Sequence, residues 1–513
     1  MKKKRIYKKT KLHPVMSILF LILGVIILSG ILSIFNFSFT YNKINTTRFD
    51  YVSTTESIIN LFSLHGLKYI FANTVANFAN FKVLSNLIIM LIGIGIMDSS
   101  GFLEMAIGLF TRKAKKKTVT FILILICLLS SICGDIPFLA IIPLSALIFK
   151  YGKRNPNIGI IASYSALTCG YGLSLFFTSI DSSLTNLTTL SAKMLDSNFS
   201  MNTFSLILFM VVAILLFSIV LTQITENIIV RKLPKYEFEE TDIKEFNPTK
   251  QELKGLILAL FASIIYLFII IYNIIPGLPL SGNLLSRTEY LYIDKLFGTN
   301  SFFSNGFVFI ITILFVIWGL IYGIITKNIK NNRDFVDSLG YSLNGIGKTL
   351  VYVFAGSALI SIFKYSNIGN VIVSGFTNLI VNSNFSGLAL VILLFISTMV
   401  CTLFVPSTIT KWSIMSTSVV PTFLNAGMTA EFTQLVFRIG ECATLCITPF
   451  FAYFIIYLAY LEREMQDKNK FGIKDALSYM LPYCLITSLV LLGLIIIWYL
   501  IGIPLGINGY VFL

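Results

Sequence analysis

The sequence predicts an all-α polytopic membrane protein: nine transmembrane helices and two re-entrant hairpins, arranged as an inverted repeat. Three observations predict it. First, 56% of the 513 residues are hydrophobic and only 12% are charged, against roughly 25% charged in soluble domains. A soluble chain could not cover so much apolar surface, whereas bilayer hydrocarbon solvates it. Second, the apolar residues gather into runs long enough to span, near 15–39, 82–99, 158–180, 203–227, 255–276, 303–326, 341–364, 431–459 and 478–503. Third, the Lys and Arg behind the net charge of +15 sit in short loops between those runs. That is the pattern of cytoplasmic loops, so the charge does not point to nucleic acid as a partner.

The elements follow in order. Met1-Lys-Lys-Lys-Arg5 resembles the basic start of a signal peptide. The run behind it is too long for a cleaved signal and lacks a small-residue cleavage site, so it reads as the first transmembrane helix. Residues 53–80 mix apolar and polar positions and are expected to form a helix lying at the outer surface; with it, 1–80 makes an N-terminal region. Residues 81–227 hold the first repeat unit and the helix after it. The mixed-charge stretch 228–254 reads as a cytoplasmic linker. Two spans fill 255–340, the second repeat unit fills 341–460, and the last span lies in 461–513.

The hairpins are read from their breaks and flanks. Region 118–150 is too long for one ordinary span, and Gly134-Asp135-Ile136-Pro137 breaks it. Basic residues flank it on both sides, at 111–117 and 150–154. It therefore enters and leaves on the cytoplasmic side, with Asp135 at its tip. Region 385–426 breaks at Phe404-Val-Pro-Ser-Thr-Ile-Thr410, followed by Lys411, and its flanks, 367–384 and 425–431, carry no Lys or Arg. It is expected to enter from outside. With a cytoplasmic N-terminus, predicted inner segments hold 28 Lys and Arg against seven in outer segments, which supports this topology.

Each unit reads span, amphipathic stretch, hairpin, span, and the two units have opposite orientation. Inverted repeats with broken helices at mid-membrane mark secondary transporters, with the site at the repeat interface. Charges at that depth cost roughly 2.5–3.5 kcal/mol on insertion scales, so they persist when paired or functional. Asp135 suits the uptake of a cation or proton; the bland alternative is a helix cap. Arg438 and Glu441 share a helix face at i, i+3. Arg438 suits a substrate carboxylate through its two-pronged guanidinium, and Glu441 would position it or take part in proton coupling. The bland alternative is a structural ion pair. Lys411 is a further charge at membrane depth, at the second hairpin. Trp412 could stack on an aromatic substrate or simply pack. Ser407 in the second break joins the binding candidates. Pro449 interrupts span 431–459, as Gly170 and Gly172 interrupt span 158–180.

Other classes fit less well. The seven cysteines lie within apolar stretches without a Cys-x-x-Cys pair, and His13 and His65 are isolated. They read as buried small hydrophobes, so neither a metal site nor a cofactor is expected. There is no Gly-x4-Gly-Lys-Ser/Thr pattern for ATP. An enzyme of lipid-linked substrates would need a polar cluster near one membrane face. A channel would share the hairpins, but not so naturally the whole inverted unit.

These residues resemble the AbgT family, the p-aminobenzoyl-glutamate transporters. The resemblance rests on Ile94-Gly-Ile-Met-Asp-Ser-Ser-Gly101, Ser130 to Asp135, Ile142-Pro-Leu-Ser-Ala-Leu-Ile-Phe149, Lys411-Trp412, Thr433-Gln434, Arg438-Ile-Gly-Glu441 and Ile447-Thr-Pro449. It implies a homodimer in the bacterial inner membrane that carries p-aminobenzoyl-glutamate or a related small organic anion, or exports sulfonamide-like antimetabolites. The family's aspartate, tryptophan, arginine and late proline would fall on Asp135, Trp412, Arg438 and Pro449. The chain departs from the family at Glu441, where Asp is usual, at Ile409, where Ser is favoured, and at Ser174 and Leu445, where Asn is usual. Losing both amides removes oxygen ligands for sodium. Asp135, Glu441 and Ser174 remain the candidates for coupling to a proton or sodium ion.

Overall fold

The computed structural model describes residues 11–44, 51–111, 114–175, 178–202, 204–238, 247–298 and 300–513. The basic residues of 1–10, Arg112 and Lys113, and the middle of the expected linker (239–246) lie outside them. Helix α1 (Pro14–Ile34) is followed by an antiparallel hairpin of β1 (Ser38–Ile44) and β2 (Tyr51–Ser57), then by α2 (Leu64–Ala79) and α3 (Lys82–Ser99). Next come α4 (Phe102–Thr111), α5 (Lys116–Leu129), α6 (Ile136–Tyr151), α7 (Pro156–Cys169), α8 (Ser179–Ala192) and α9 (Ile207–Ile224). Two long helices, α10 (Lys250–Ile274) and α11 (Phe302–Thr326), stand apart from the main core. The second half holds α12 (Gly347–Ser366), α13 (Ile368–Val381), α14 (Gly387–Phe404), α15 (Thr408–Asn425), α16 (Ala430–Thr444), α17 (Ala452–Glu464) and α18 (Ile473–Ile501).

Among the described residues, ten helices are long and apolar enough to cross a membrane. Eight coincide with expected spans, and two, Lys116–Cys133 and Gly387–Phe404, are the first arms of the hairpins. The expected span 158–180 is instead the 14-residue α7, which stops at Gly170-Tyr171-Gly172 and is continued by α8 after a break. Its counterpart, the span 431–459, is likewise divided into α16 and α17 by a 3-10 turn at Leu445–Ile447.

The first hairpin closes on itself. Arg154, just past the end of α6, donates from Nη1 to the Lys116 carbonyl at 2.9 Å and to Thr120 Oγ1 at 2.8 Å. Both acceptors lie in the first turns of α5, so the two arms start and finish at one end of the molecule. Glu226, just past the end of α9, joins this base through Arg154 Nη2 at 2.7 Å. The second hairpin closes at the other end. Gly387, which opens α14, sits against Tyr499, whose ring lies 5.1 Å from that of Phe512. Phe512 pairs with Met428, just past α15. There the Phe209 N–H, in the first turn of α9, donates to the Leu505 carbonyl at 3.0 Å. Helix α9 thus runs from the base of one hairpin to the base of the other, and the hairpins open at opposite ends, as an inverted repeat requires.

Two local expectations are corrected. Residues 53–80 are not one surface helix: Tyr51–Ser57 is a strand, and α2 runs antiparallel along α12. The Tyr69 ring stacks on Tyr365 at 3.5 Å, and Phe78 meets Phe354 at 5.5 Å. An aromatic stripe at helical spacing gives α2 a face to pack, which the scattered polar residues on its other sides concealed. The β-hairpin was not foreseen. It lies against α15, where the Thr417 hydroxyl donates to the Asn42 carbonyl at 2.5 Å.

Candidate functional site

Both hairpin tips and both interrupted helices border one cavity of about 690 Å³. The first tip contributes Asp135, Ile136 and Leu139, and the second contributes Phe404 to Thr410. Tyr171 comes from the break after α7, and Phe450 to Tyr453 from the break before α17. The start of α3 (Lys82, Val83, Asn86) and the end of α12 (Phe363, Lys364), with Asn367 and Asn370, complete the wall. The size suits a small organic molecule, since ligand pockets run about 300–1,000 Å³.

Local sequence makes each tip. Gly134 takes φ +59° between the 3-10 turn Ser130–Cys133 and α6. Such backbone is comfortable only for glycine, and Pro137 then starts the new helix. Asp135 leads α6, and no side-chain cap bond forms there. Its carboxylate accepts the Tyr171 hydroxyl at 3.0 Å and is also hydrogen-bonded by Tyr453. The carboxylate at the first tip is thus held by a tyrosine from each interrupted helix. At the second tip Val405 and Pro406 end α14, and Ser407 caps α15, accepting the Thr410 N–H at 3.4 Å.

Beside the cavity lies a buried charge network. Glu441 Oε1 accepts from Lys411 Nζ at 2.8 Å and from Thr408 Oγ1 at 2.5 Å. Lys411 Nζ also donates to Thr402 Oγ1 at 2.8 Å. Arg438 stands 3.7 Å from Glu441 through Nη1 and donates to Asp181 Oδ1 from Nη2 at 3.1 Å. Asp181 closes the capping box of α8 with its other oxygen, accepting the Thr178 N–H at 3.0 Å. The network therefore ties the second arm of hairpin two to α16 and to α8. Two cations face two carboxylates, so the charges of the network balance, the condition under which buried ions persist. Gly172 permits the close approach: a Cβ there would lie 2.6 Å from the Arg438 carbonyl.

The structure divides the residues singled out from sequence. Asp135 and Ser407 line the large cavity. Arg438 and Glu441 do not; they belong to the network, and Arg438 is oriented by Glu441 and Asp181. Trp412 is fully buried: its Nε1 donates to Thr188 Oγ1 at 2.8 Å, and its ring packs 4.4 Å from Phe437. In this conformation it is packed away from the large cavity. Pro449 stands in the second break, behind the cavity-lining Phe450 and Phe451. Ser174 lines two small clefts of about 40 and 20 Å³, one shared with Asp181 and the other with Arg438, not the main cavity. Sequence reading missed Asp181, Thr402, Tyr171, Tyr453, Lys82 and Lys364. Asp181 could have been found as a carboxylate in a stretch that is otherwise uncharged from Ile158 to Ala192.

Long apolar helices, two hairpins of opposite sense and a cavity walled by both define a multi-pass membrane transporter. Residues 8–513 match the sequence profile described as "AbgT putative transporter family"; the chain belongs to the AbgT family. It is 27% identical over 499 residues to the p-aminobenzoyl-glutamate transport protein of Escherichia coli (strain K12), covering 97% of this chain and 94% of the relative. Among solved structures it is similar to the Alcanivorax borkumensis YdaH transporter, at 22% identity and a TM-score of 0.49, covering 97% of this chain and all of that one. It is also similar to Neisseria gonorrhoeae MtrF, described among antimetabolite efflux pumps, at 25% identity and a TM-score of 0.48, covering 97% of each chain. The chain is a transporter and not an enzyme.

Proposed function

We propose that this transporter moves p-aminobenzoyl-glutamate, or an aromatic organic anion close to it, across the bacterial cytoplasmic membrane, driven by a proton or sodium gradient. The observation that carries the reading is the cavity at which both hairpin tips and both interrupted helices meet. Alternating access needs a site that two repeat units can seal in turn. Phe404, Phe450 and Phe451 offer an arene apolar surface, and the tip hydroxyls and lysines offer polar contacts. Asp135 is the coupling group of this reading, because taking up an ion there changes the charge beside the cargo and the bonds to Tyr171 and Tyr453. Glu441 and Ser174 are assigned to the same ion path. The name of the Escherichia coli relative supports the cargo. Export of antimetabolites, as in the description of the Neisseria protein, would use the same cavity with the gradients reversed. The reading includes a cytoplasmic N-terminus and a homodimer, the latter checked by cross-linking in native membranes.

The test is uptake of labelled p-aminobenzoyl-glutamate into proteoliposomes under an imposed proton or sodium gradient in turn. Accumulation under one gradient, abolished by Asp135→Asn, is the expected result and names the ion. Folded wild type that accumulates nothing under either gradient overturns this cargo.

A further inference from the structure

We propose that Lys82 and Lys364 form a two-point receptor for a dianion on the cavity wall. They would take the two carboxylates of an aromatic dicarboxylate while its arene lies against Phe404, Phe450 and Phe451. The inference rests on the transport reading above and specifies how that cavity reads its cargo.

Arg438 is the guanidinium best suited to a carboxylate, but it is buried outside the cavity wall and held by Asp181 and Glu441. The cavity must therefore find its positive charge elsewhere. Lys82 and Lys364 are the two cations among its lining residues, and they come from separate helices, α3 and α12. Neither forms an ion pair among the described residues. Helix stability does not account for Lys82. It is the first residue of α3, where the helix dipole disfavours a cation, and no acidic residue stands in that turn to offset it. Lys364 lies in the last turn of α12, where a cation is favoured, so its place in the wall is what links it to Lys82. Asn86 and Asn370 sit beside them as further donors.

Asp135 is the one carboxylate among the lining residues. It repels the acidic end of such a cargo and accepts from an N–H at the other end. The wall thus has a polarity that matches a molecule with an arylamine at one end and two carboxylates at the other. Lysine suits a carrier better than arginine here. A compact, strongly hydrated ammonium holds a carboxylate through single contacts and releases it readily, whereas a bidentate fork would retain it.

The test is isothermal titration of the purified full chain in detergent with two probes of nearly equal shape: p-aminobenzoyl-glutamate and its glutamine isostere, which lacks one charge. Wild type should prefer the glutamate form about tenfold, the scale of one charged hydrogen bond. One of Lys82→Gln and Lys364→Gln, the one that removes the partner of the carboxylate the isostere lacks, should reduce that preference to near unity; the other should weaken both probes alike, and the corresponding Arg variants should retain wild-type behaviour. Equal affinity of wild type for the two probes overturns the receptor whatever the variants do. So does a preference that survives both Gln substitutions. Wild type that binds neither probe overturns the cargo reading instead, and the receptor falls with it.

Discussion

Lys411 and Glu441 show how strongly burial raises the stakes of a single pair. Both are fully buried and bonded to each other. Removing one partner leaves an uncompensated charge, at a cost of about 3–5 kcal/mol. Glu441→Leu is therefore expected to lower the thermal unfolding temperature in detergent well below that of wild type. Lys411→Met combined with Glu441→Leu should recover much of the loss, because an apolar pair of similar size replaces the ions. A double variant no more stable than Glu441→Leu alone would show that the pair is not the unit of stability. At this scale the sequence was partly legible. Charges within apolar runs stand out, so Asp135, Lys411, Arg438 and Glu441 could be named at once. Their partners could not. Asp181 lies just after a helix break, where an Asp reads as a cap, and which carboxylate meets which cation depends on how α8 and α16 cross. The packing of Trp412 was out of reach for the same reason: the partner of its N–H, Thr188, is 224 residues away.

The hairpins were legible as elements because their signals are local. Gly134 and Pro137 break one run, and Pro406 breaks the other. The β-hairpin and α2 were not, since Ser38–Ser57 carries no strong alternation and α2 is marked only by the aromatic face it turns to α12. The opposite openings give a direct expectation. Consider single cysteines placed at Lys116 or Lys153, in a background lacking the native seven. They should label with an impermeant maleimide from one side of the membrane. Cysteines at Ser383 or Asn425 should label from the other. Labelling of both pairs from one side would refute the inverted arrangement. A second expectation concerns the crossing of the interrupted helices. Gly172→Val places its side chain into the Arg438 backbone, 2.6 Å from the position of the new Cβ. Overpacking of this kind costs about 1–3 kcal/mol. It should separate α7 from α16 and reduce transport more than Gly493→Val, a change at a helix position with open space around it.

For the molecule as a whole, the balanced network of Asp181, Arg438, Lys411 and Glu441 has an electrical consequence. Carrying one elementary charge through 100 mV is worth about 2.3 kcal/mol. A body whose charges sum to zero moves through the membrane field without that work, so the lock between hairpin two and the interrupted helices is insulated from voltage. The field is left to act on the cargo, on the coupling ion, and on the cavity charges Asp135, Lys82 and Lys364. Substituting Lys411→Met on its own would give the network a net negative charge. Turnover in vesicles clamped with potassium and valinomycin should then show a steeper voltage dependence than that of wild type. The neutrality that makes the network tolerable in lipid also frees the transport cycle from the membrane potential, except for what the passengers themselves carry.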